Sequence, residues 1–252
     1  MKKPRFVLHN QVPIDGRTTF SPNCLLICCE ERWQKLTGGE EDPVGRWMEI
    51  HKPQVILEGS GSFVTDDGSI ETLPQAAEEE KKGLYEHYLP TEVVERDIHK
   101  GYLAVVDSRG RVRWKYKEFP TGNWLGYHLL VVVSQSTPAD YLAYLRRETI
   151  PYIVAGKEKV DLPKMTELFA SLCQTECILC TGGGRLGSAL LKNKLIDEIN
   201  VEFLPAIIGG KGTPALFDGA VLREEDEATK LELLSTQVEK SGRVWLRYAI
   251  LD

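Results

Sequence analysis

The segment Ile178–Gly187, ILCTGGGRLG, holds the residues best placed to do chemistry. A short apolar run ends at Thr181, and three consecutive glycines follow, Gly182, Gly183 and Gly184. Leu186, Leu190, Leu191 and Leu195 then recur at helical spacing. Strand, glycine turn and helix start in that order bring backbone N–H groups close to an anion, and the helix N-terminus adds partial positive charge. A phosphate or diphosphate is the ligand this arrangement suits, and nucleotide-cofactor chemistry follows from it. A bare connector needs one glycine; three in a row carry a backbone-entropy cost that a ligand site explains. Gly182, Gly184 and Gly187 also match G-x-G-x-x-G. A Rossmann half is nevertheless excluded, because too little chain follows for the further βαβ units and no acid stands at the tip of the next strand, where Pro205 lies. No G-K-[ST] completes a Walker loop.

Other segments could complete a site. Glu58-Gly59-Ser60-Gly61-Ser62 is a second small-residue turn after a buried strand, and Asp107-Ser108-Arg109-Gly110-Arg111 is a third. Asp15-Gly16 ends the first strand, on which Asn10 lies. Asp15 reads either as an acid or orienting group beside a pocket or as a simple turn residue. The histidines show no paired spacing and receive no catalytic role. Cys24, Cys28, Cys29, Cys173, Cys177 and Cys180 sit in apolar surroundings without a His to complete a metal motif, so no metal is expected and buried reduced thiols are. The five tryptophans, among them Trp33, Trp47, Trp124 and Trp245, read as core or interface.

The elements that must position these residues alternate. Arg5–Val12 reads as a strand, Ser21-Pro22 as the cap of a helix running through Trp33 to Gly38, and Asp42-Pro43 as the start of a second helix. Strands are expected at Gln54–Leu57 and Tyr102–Val106, after the turn at Asp107–Arg111, and at Leu129–Val133, Tyr152–Ala155 and Glu198–Leu204. Helices are expected at Gln75–Tyr88, Asp140–Glu148 and Pro163–Cys173, and Leu231–Val238 with Arg243–Ile250 as a closing antiparallel pair. This is an α/β layer fold with a mostly parallel sheet and an antiparallel edge. The 252 residues read as one domain with a charged insertion at about 71–100.

Composition narrows the partners. A formal charge of -6 argues against broad nucleic-acid binding, so an anionic ligand must be held by local donors. No apolar run reaches the ~18 residues of a membrane span, and the opening MKKPRFVLHN lacks the apolar stretch of a signal peptide. A cytoplasmic protein is expected.

In order and spacing, several motifs together resemble the reductase domain of the bifunctional riboflavin-biosynthesis deaminase/reductase and the related single-domain diaminopyrimidine reductases. They are Pro13–Arg17, Gly59–Ser62 with Asp66-Asp67, Val105–Arg111, Gly182–Gly187, Leu195–Glu198 and Pro205–Gly209. The resemblance implies a dihydrofolate-reductase-like three-layer fold. It also implies NADPH-dependent reduction of a ribosylaminopyrimidine 5′-phosphate to its ribitylamino form, and a homodimer whose interface the closing strands could supply. By position, Gly59, Gly61, Ser62, Asp66, Ser108, Arg109 and the loop Gly182, Gly183, Gly184, Arg185, Leu186 and Gly187 would hold NADPH, with Ser108 and Arg109 near its 2′-phosphate. Asn10 and Thr181 would meet substrate, Asn10 alternatively the nicotinamide carboxamide. Asp15 and Glu58 are the candidate catalytic acids.

The chain departs from that pattern on the substrate side. Pro13 replaces a serine, Thr181 the acid before the glycine loop, and Leu73 a basic residue; Glu58 stands where an apolar residue is usual and could replace the missing acid. No H-x-E with a later P-C-x-x-C marks a deaminase half. A same-fold reductase of a pterin or other heterocycle, or a nucleotide-binding module without turnover, remains the alternative at this point.

Overall fold

A computed structural model describes residues 2–25, 30–40, 42–66, 68–119 and 122–251. The chain order is β1 (Arg5–Pro13), α1 (Glu30–Thr37), α2 (Pro43–His51), β2 (Val55–Gly59), α3 (Thr91–Val94), β3 (Gly101–Val106), β4 (Tyr127–Val133), α4 (Ala139–Arg147), β5 (Tyr152–Val154), α5 (Leu162–Leu172), β6 (Cys177–Cys180), α6 (Gly184–Lys192), β7 (Glu198–Leu204), β8 (Leu231–Val238) and β9 (Val244–Ile250). The strands form one sheet in the order β5-β4-β3-β2-β6-β1-β7-β9-β8. The strands β1 to β7 pair in parallel, and β9 and β8 close the edge antiparallel.

Strand β4 is buried along its whole length, as its continuous apolar run requires of a strand covered on both faces. Alternation splits the β1 side chains. Phe6, Leu8 and Val12 pack with Met165, Phe169 and Leu190 of α5 and α6, while Val7 packs with Trp47 of α2 and Leu142 of α4. The result is three layers, helix on sheet on helix.

Start signals act where a side chain can close them. Asp42 caps α2 by accepting from Gly45 N–H at 2.7 Å, ahead of Pro43. Asp161 does the same for α5 through Lys164 N–H at 2.9 Å. Ser21-Pro22 instead forms a turn, with Cys24 N–H donating to Ser21 C=O and Thr19 Oγ1 to Cys24 C=O. The described part of α1 begins at Glu30, and Cys28 and Cys29 lie outside the described residues.

Two expected elements are replaced. Residues 75–88 form successive turns rather than a charged helix. Gly83 takes a left-handed φ of 71°, and outside groups claim the backbone: Asp140 accepts from Ala76 N–H, and Tyr152 Oη donates to Leu84 C=O. No strand follows Arg111 among the described residues of 111–119 beyond a single bridge at Glu118. There the Asp107 carboxylate takes the N–H groups of Arg111 and Val112, at 2.8 and 2.9 Å, and turns the chain. No helix among the described residues is long and apolar enough to cross a membrane.

Candidate active site

A cleft of about 1330 Å³ runs across the C-terminal ends of the parallel strands, where open α/β sheets bind ligands. Its lining follows the strand order. Glu158 to Val160 come from beyond β5, Ser136 and Pro138 from beyond β4, Ser108, Arg109 and Arg111 from beyond β3. Glu58 to Asp66 continue it from β2, Thr181 and the turn Gly183–Leu186 from β6, and Asn10 and Gln11 from β1. Trp33, Glu40, Asp42 and Trp124 also line it.

The middle lies between β2 and β6, where the strand order reverses. Parallel pairing of Leu57 with Cys180 sets the next residues, Glu58 and Thr181, side by side. Thr181 Oγ1 donates to Glu58 Oε1, and Ser62 Oγ donates to Glu58 Oε2 at 2.6 Å. Burial raises the Glu58 pKa, and the two hydroxyls only partly pull it back.

Above this pair sits the glycine turn. The glycines do different work. A Cβ on Gly184 would lie 1.9 Å from Ala215 C=O, so this residue lets α6 pack on residues 215–218. Gly182 and Gly187 are likewise crowded, by Leu186 and Leu8, and neither lines the cleft. Gly183 has open space where a side chain would stand and lies at the N-cap of α6 with no side chain capping the helix. Packing therefore accounts for much of the glycine run, and Gly183 with the bare helix terminus is its ligand-facing part.

Beside the turn, three guanidinium groups converge on one carboxylate. Asp66 accepts from Arg185 at 2.6 Å, Arg111 at 3.0 Å and Arg109 at 3.1 Å. These bonds, that from Arg185 foremost, hold the Asp66 pKa down at about 2. Arg111 is buried, touches Ser60 Oγ at 3.3 Å and keeps an unpartnered Nε. Three cations around one anion leave a local excess of positive charge beside the turn, as a phosphate dianion requires.

Asp15 stands elsewhere. Its carboxylate accepts from Ile208 N–H at 3.4 Å and Gly209 N–H at 2.6 Å, anchoring the loop after β7, and it does not line the cleft. Leu73 packs in the apolar layer on the α4 face. None of residues 71–100 lines the cleft, so the charged segment covers α4 and β5 instead. Cys173, Cys177 and Cys180 are free thiols, but Cys24 is disulfide-bonded; it occupies a half-buried turn at the cleft rather than the apolar core. No cluster of metal-ligating side chains occurs among the described residues.

Sequence reasoning passed over a polar layer at the β1 end. His9 lies between Glu202 and His51, its Nε2 3.0 Å from Glu202 Oε1 and its Nδ1 3.1 Å from His51 Nε2. Trp47 Nε1 and Arg46 also donate to Glu202, each at 2.6 Å. Glu40 accepts from Arg46 and Gln11 at 2.7 Å and from Arg243 at 2.6 Å. These partners are joined across the sheet from distant positions, and no local spacing signals them. Trp33, buried as expected, and Trp124 also line the cleft. Arg111, one glycine from Arg109, could have been found from that doubling.

The sheet order and its cleft define a three-layer α/β protein with a mostly parallel sheet and an antiparallel edge. A family description, the RibD C-terminal domain, matches residues 8–245, and the chain belongs to that family. It is 32% identical over 134 residues to a Methanothermobacter thermautotrophicus protein named 2,5-diamino-6-ribosylamino-4(3H)-pyrimidinone 5′-phosphate reductase, covering 52% of this chain and 57% of the relative. An Archaeoglobus fulgidus protein of the same name is 30% identical over 103 residues, covering 41% and 46%. The chain thus spans about half the length of these curated relatives. Among solved structures, a pyrimidine reductase-like protein from Corynebacterium diphtheriae superposes with a TM-score of 0.60 at 14% identity, covering 99% of this chain and 92% of that one.

Proposed function

We propose that this chain is an NADPH-dependent reductase that converts a ribosylaminopyrimidine 5′-phosphate to its ribitylamino form in riboflavin biosynthesis. The names of the curated relatives support the substrate class. The observation that carries the cofactor reading is the convergence of Arg109, Arg111 and Arg185 on Asp66 inside the cleft.

The residues fit a dinucleotide. The uncapped α6 terminus at Gly183 to Leu186 would face the diphosphate, with Gly59, Gly61 and Ser62 on the opposite wall. Ser108 and Arg109, joined by Arg111 and Arg185, would hold the 2′-phosphate, and Asp66 keeps the guanidinium groups oriented. When bound, the reduced nicotinamide supplies a hydride to the substrate carbon. The protein must align the two carbons and deliver a proton to the nitrogen or oxygen left electron-rich. Glu58, whose protonated form burial favours, is the donor. After transfer, the Ser62 and Thr181 hydroxyls already point at its carboxylate. Asn10 Nδ2, buried and without a partner, offers a donor to a substrate or carboxamide carbonyl. Asp15 serves by fixing the loop at 208–209.

The reading is completed by a homodimer through the β8–β9 hairpin and a cytoplasmic location, where NADPH is available. Fluorescence titration of the nicotinamide tests its core. Wild type should bind NADPH at least about tenfold more tightly than NADH, as a charge-assisted phosphate contact predicts. Arg109→Ala with Arg185→Ala should abolish that preference and leave NADH affinity unchanged, since both side chains are largely exposed. Equal wild-type affinities would overturn the assignment.

A further inference from the structure

Gln11 is a buried side chain, 6% exposed, that lines the cleft on the α2 side of β1. Its amide nitrogen donates to Glu40 Oε2 at 2.7 Å and to Glu202 Oε2 at 3.1 Å. An ionised carboxylate only accepts, so chemistry fixes which end of the amide faces them. Arg46 and Arg243 hold Glu40 ionised, and Arg46, His9 and Trp47 attend Glu202. Both amide hydrogens are therefore committed and the rotamer is locked. The carbonyl oxygen Oε1 is left with no donor. An orphaned buried acceptor is costly, and such groups are rare in native interiors.

We propose that Gln11 is a specificity residue, whose Oε1 accepts a hydrogen bond from an N–H of the substrate's heterocycle. The inference rests on the reductase reading and adds the group by which the ring is recognised. Two observations favour the ring over the cofactor. The basic residues of the lining, Arg109, Arg111, Lys159 and Arg185, follow β3, β5 and β6, whereas Gln11 on β1 stands against the carboxylates of Glu40 and Glu202. Trp124, whose Nε1 stands 3.4 Å from Asp42 Oδ1, lines the cleft as Trp33 does, and both offer flat apolar faces to a planar ring. A pyrimidinone carries matching donors, a ring N–H and exocyclic amino hydrogens.

The test is calorimetric titration into protein saturated with NADP+, which blocks turnover. The probes are the diaminopyrimidinone substrate, an analogue methylated at the ring N–H, and an analogue with hydrogen in place of the exocyclic amino group. Wild type should bind one analogue about tenfold to a hundredfold more weakly than the parent, the penalty of leaving the acceptor unpaired. Gln11→Met should weaken the parent by the same factor, bind that analogue as wild type does, and keep its NADP+ affinity. Equal wild-type affinity for all three compounds overturns the inference, as does discrimination that survives in Gln11→Met. A loss of NADP+ affinity in that variant would reassign Gln11 to the cofactor and overturn it too. Should the variant fail to fold, the wild-type analogue series decides alone. Binding of NADP+ with no binding of the pyrimidine overturns the substrate reading and this inference together; reduction of the pyrimidine without discrimination overturns this inference only.

Discussion

Glu58 is the residue on which the proposed proton transfer turns. The strand register sets it beside Thr181, where the resembling family carries its acid, so a carboxylate remains at the sheet's switch point although it has changed strand. Burial favours its protonated form. Glu58→Gln keeps the size and one acceptor oxygen, the other hydroxyl turning to accept from the amide NH2, but has no acidic proton to give. It should lower kcat by about a hundredfold or more, the scale of general-acid catalysis, with NADPH affinity unchanged. Stability supplies an independent readout. Because the folded pKa is raised, the native state holds a proton that the unfolded chain releases above about 4.3, so the wild type loses stability as pH rises from there. The melting temperature of Glu58→Gln should gain on wild type between pH 5 and pH 8. Unchanged turnover, or parallel melting curves across that range, would contradict the role. Glu58 is legible through the resemblance, as a carboxylate where an apolar residue is usual. Gln11 is not, since its meaning lies in partners that only the fold delivers.

At the scale of elements, the legible parts are those whose signal is local. The Asp42-Pro43 cap, the β4 run and the hairpin turn at Ser241-Gly242 need only neighbouring residues to explain them. Residues 75–88 have a helical charge pattern yet follow α4 and β5, because tertiary hydrogen bonds outweigh a propensity of a few tenths of a kcal/mol per residue. The glycine turn was read correctly as a strand-to-helix junction, but part of its glycine content serves helix packing. The layer joining β1, α2 and β7 has a further consequence. Burial lowers the pKa of His9, against the pull of Glu202, and lowers that of His51 to about 4. Unfolding returns both to an ordinary 6.5, so the unfolded chain takes up protons that the native state refuses. Stability should fall as pH drops from about 6.5 toward 4. Burial pushes Glu202 up, but hydrogen bonds from His9 and Arg46 overcome it and hold it at about 2, which extends the loss to lower pH. Urea midpoints at pH 7, 6 and 5 should decline in wild type and decline less in His51→Gln. Identical slopes would show that the histidine pair does not set the acid sensitivity.

For the whole molecule, the unresolved tension is the open edge of the sheet. Strand β8 is exposed along its length, with Leu233 at 53% and Val238 at 72%, and Leu231–Val238 contains no Lys, Arg or Pro to discourage pairing. An antiparallel edge is self-complementary about a two-fold axis, so the partner of simplest geometry is the same strand of a second copy. The hairpin also reaches the cleft, because Arg243, in the turn before β9, bonds Glu40, and Glu40 in turn holds Gln11. Pairing two hairpins would steady that chain of contacts. Sedimentation velocity should therefore give a dimer for wild type and a monomer for Leu233→Asp with Val238→Asp. The monomer should retain NADPH affinity, since the arginine cluster lies toward the opposite side of the sheet, while KM for the pyrimidine rises as Gln11 loses its support. A wild type that sediments as a single chain would remove the dimer. A monomeric variant with wild-type KM would sever the hairpin from the substrate end of the cleft.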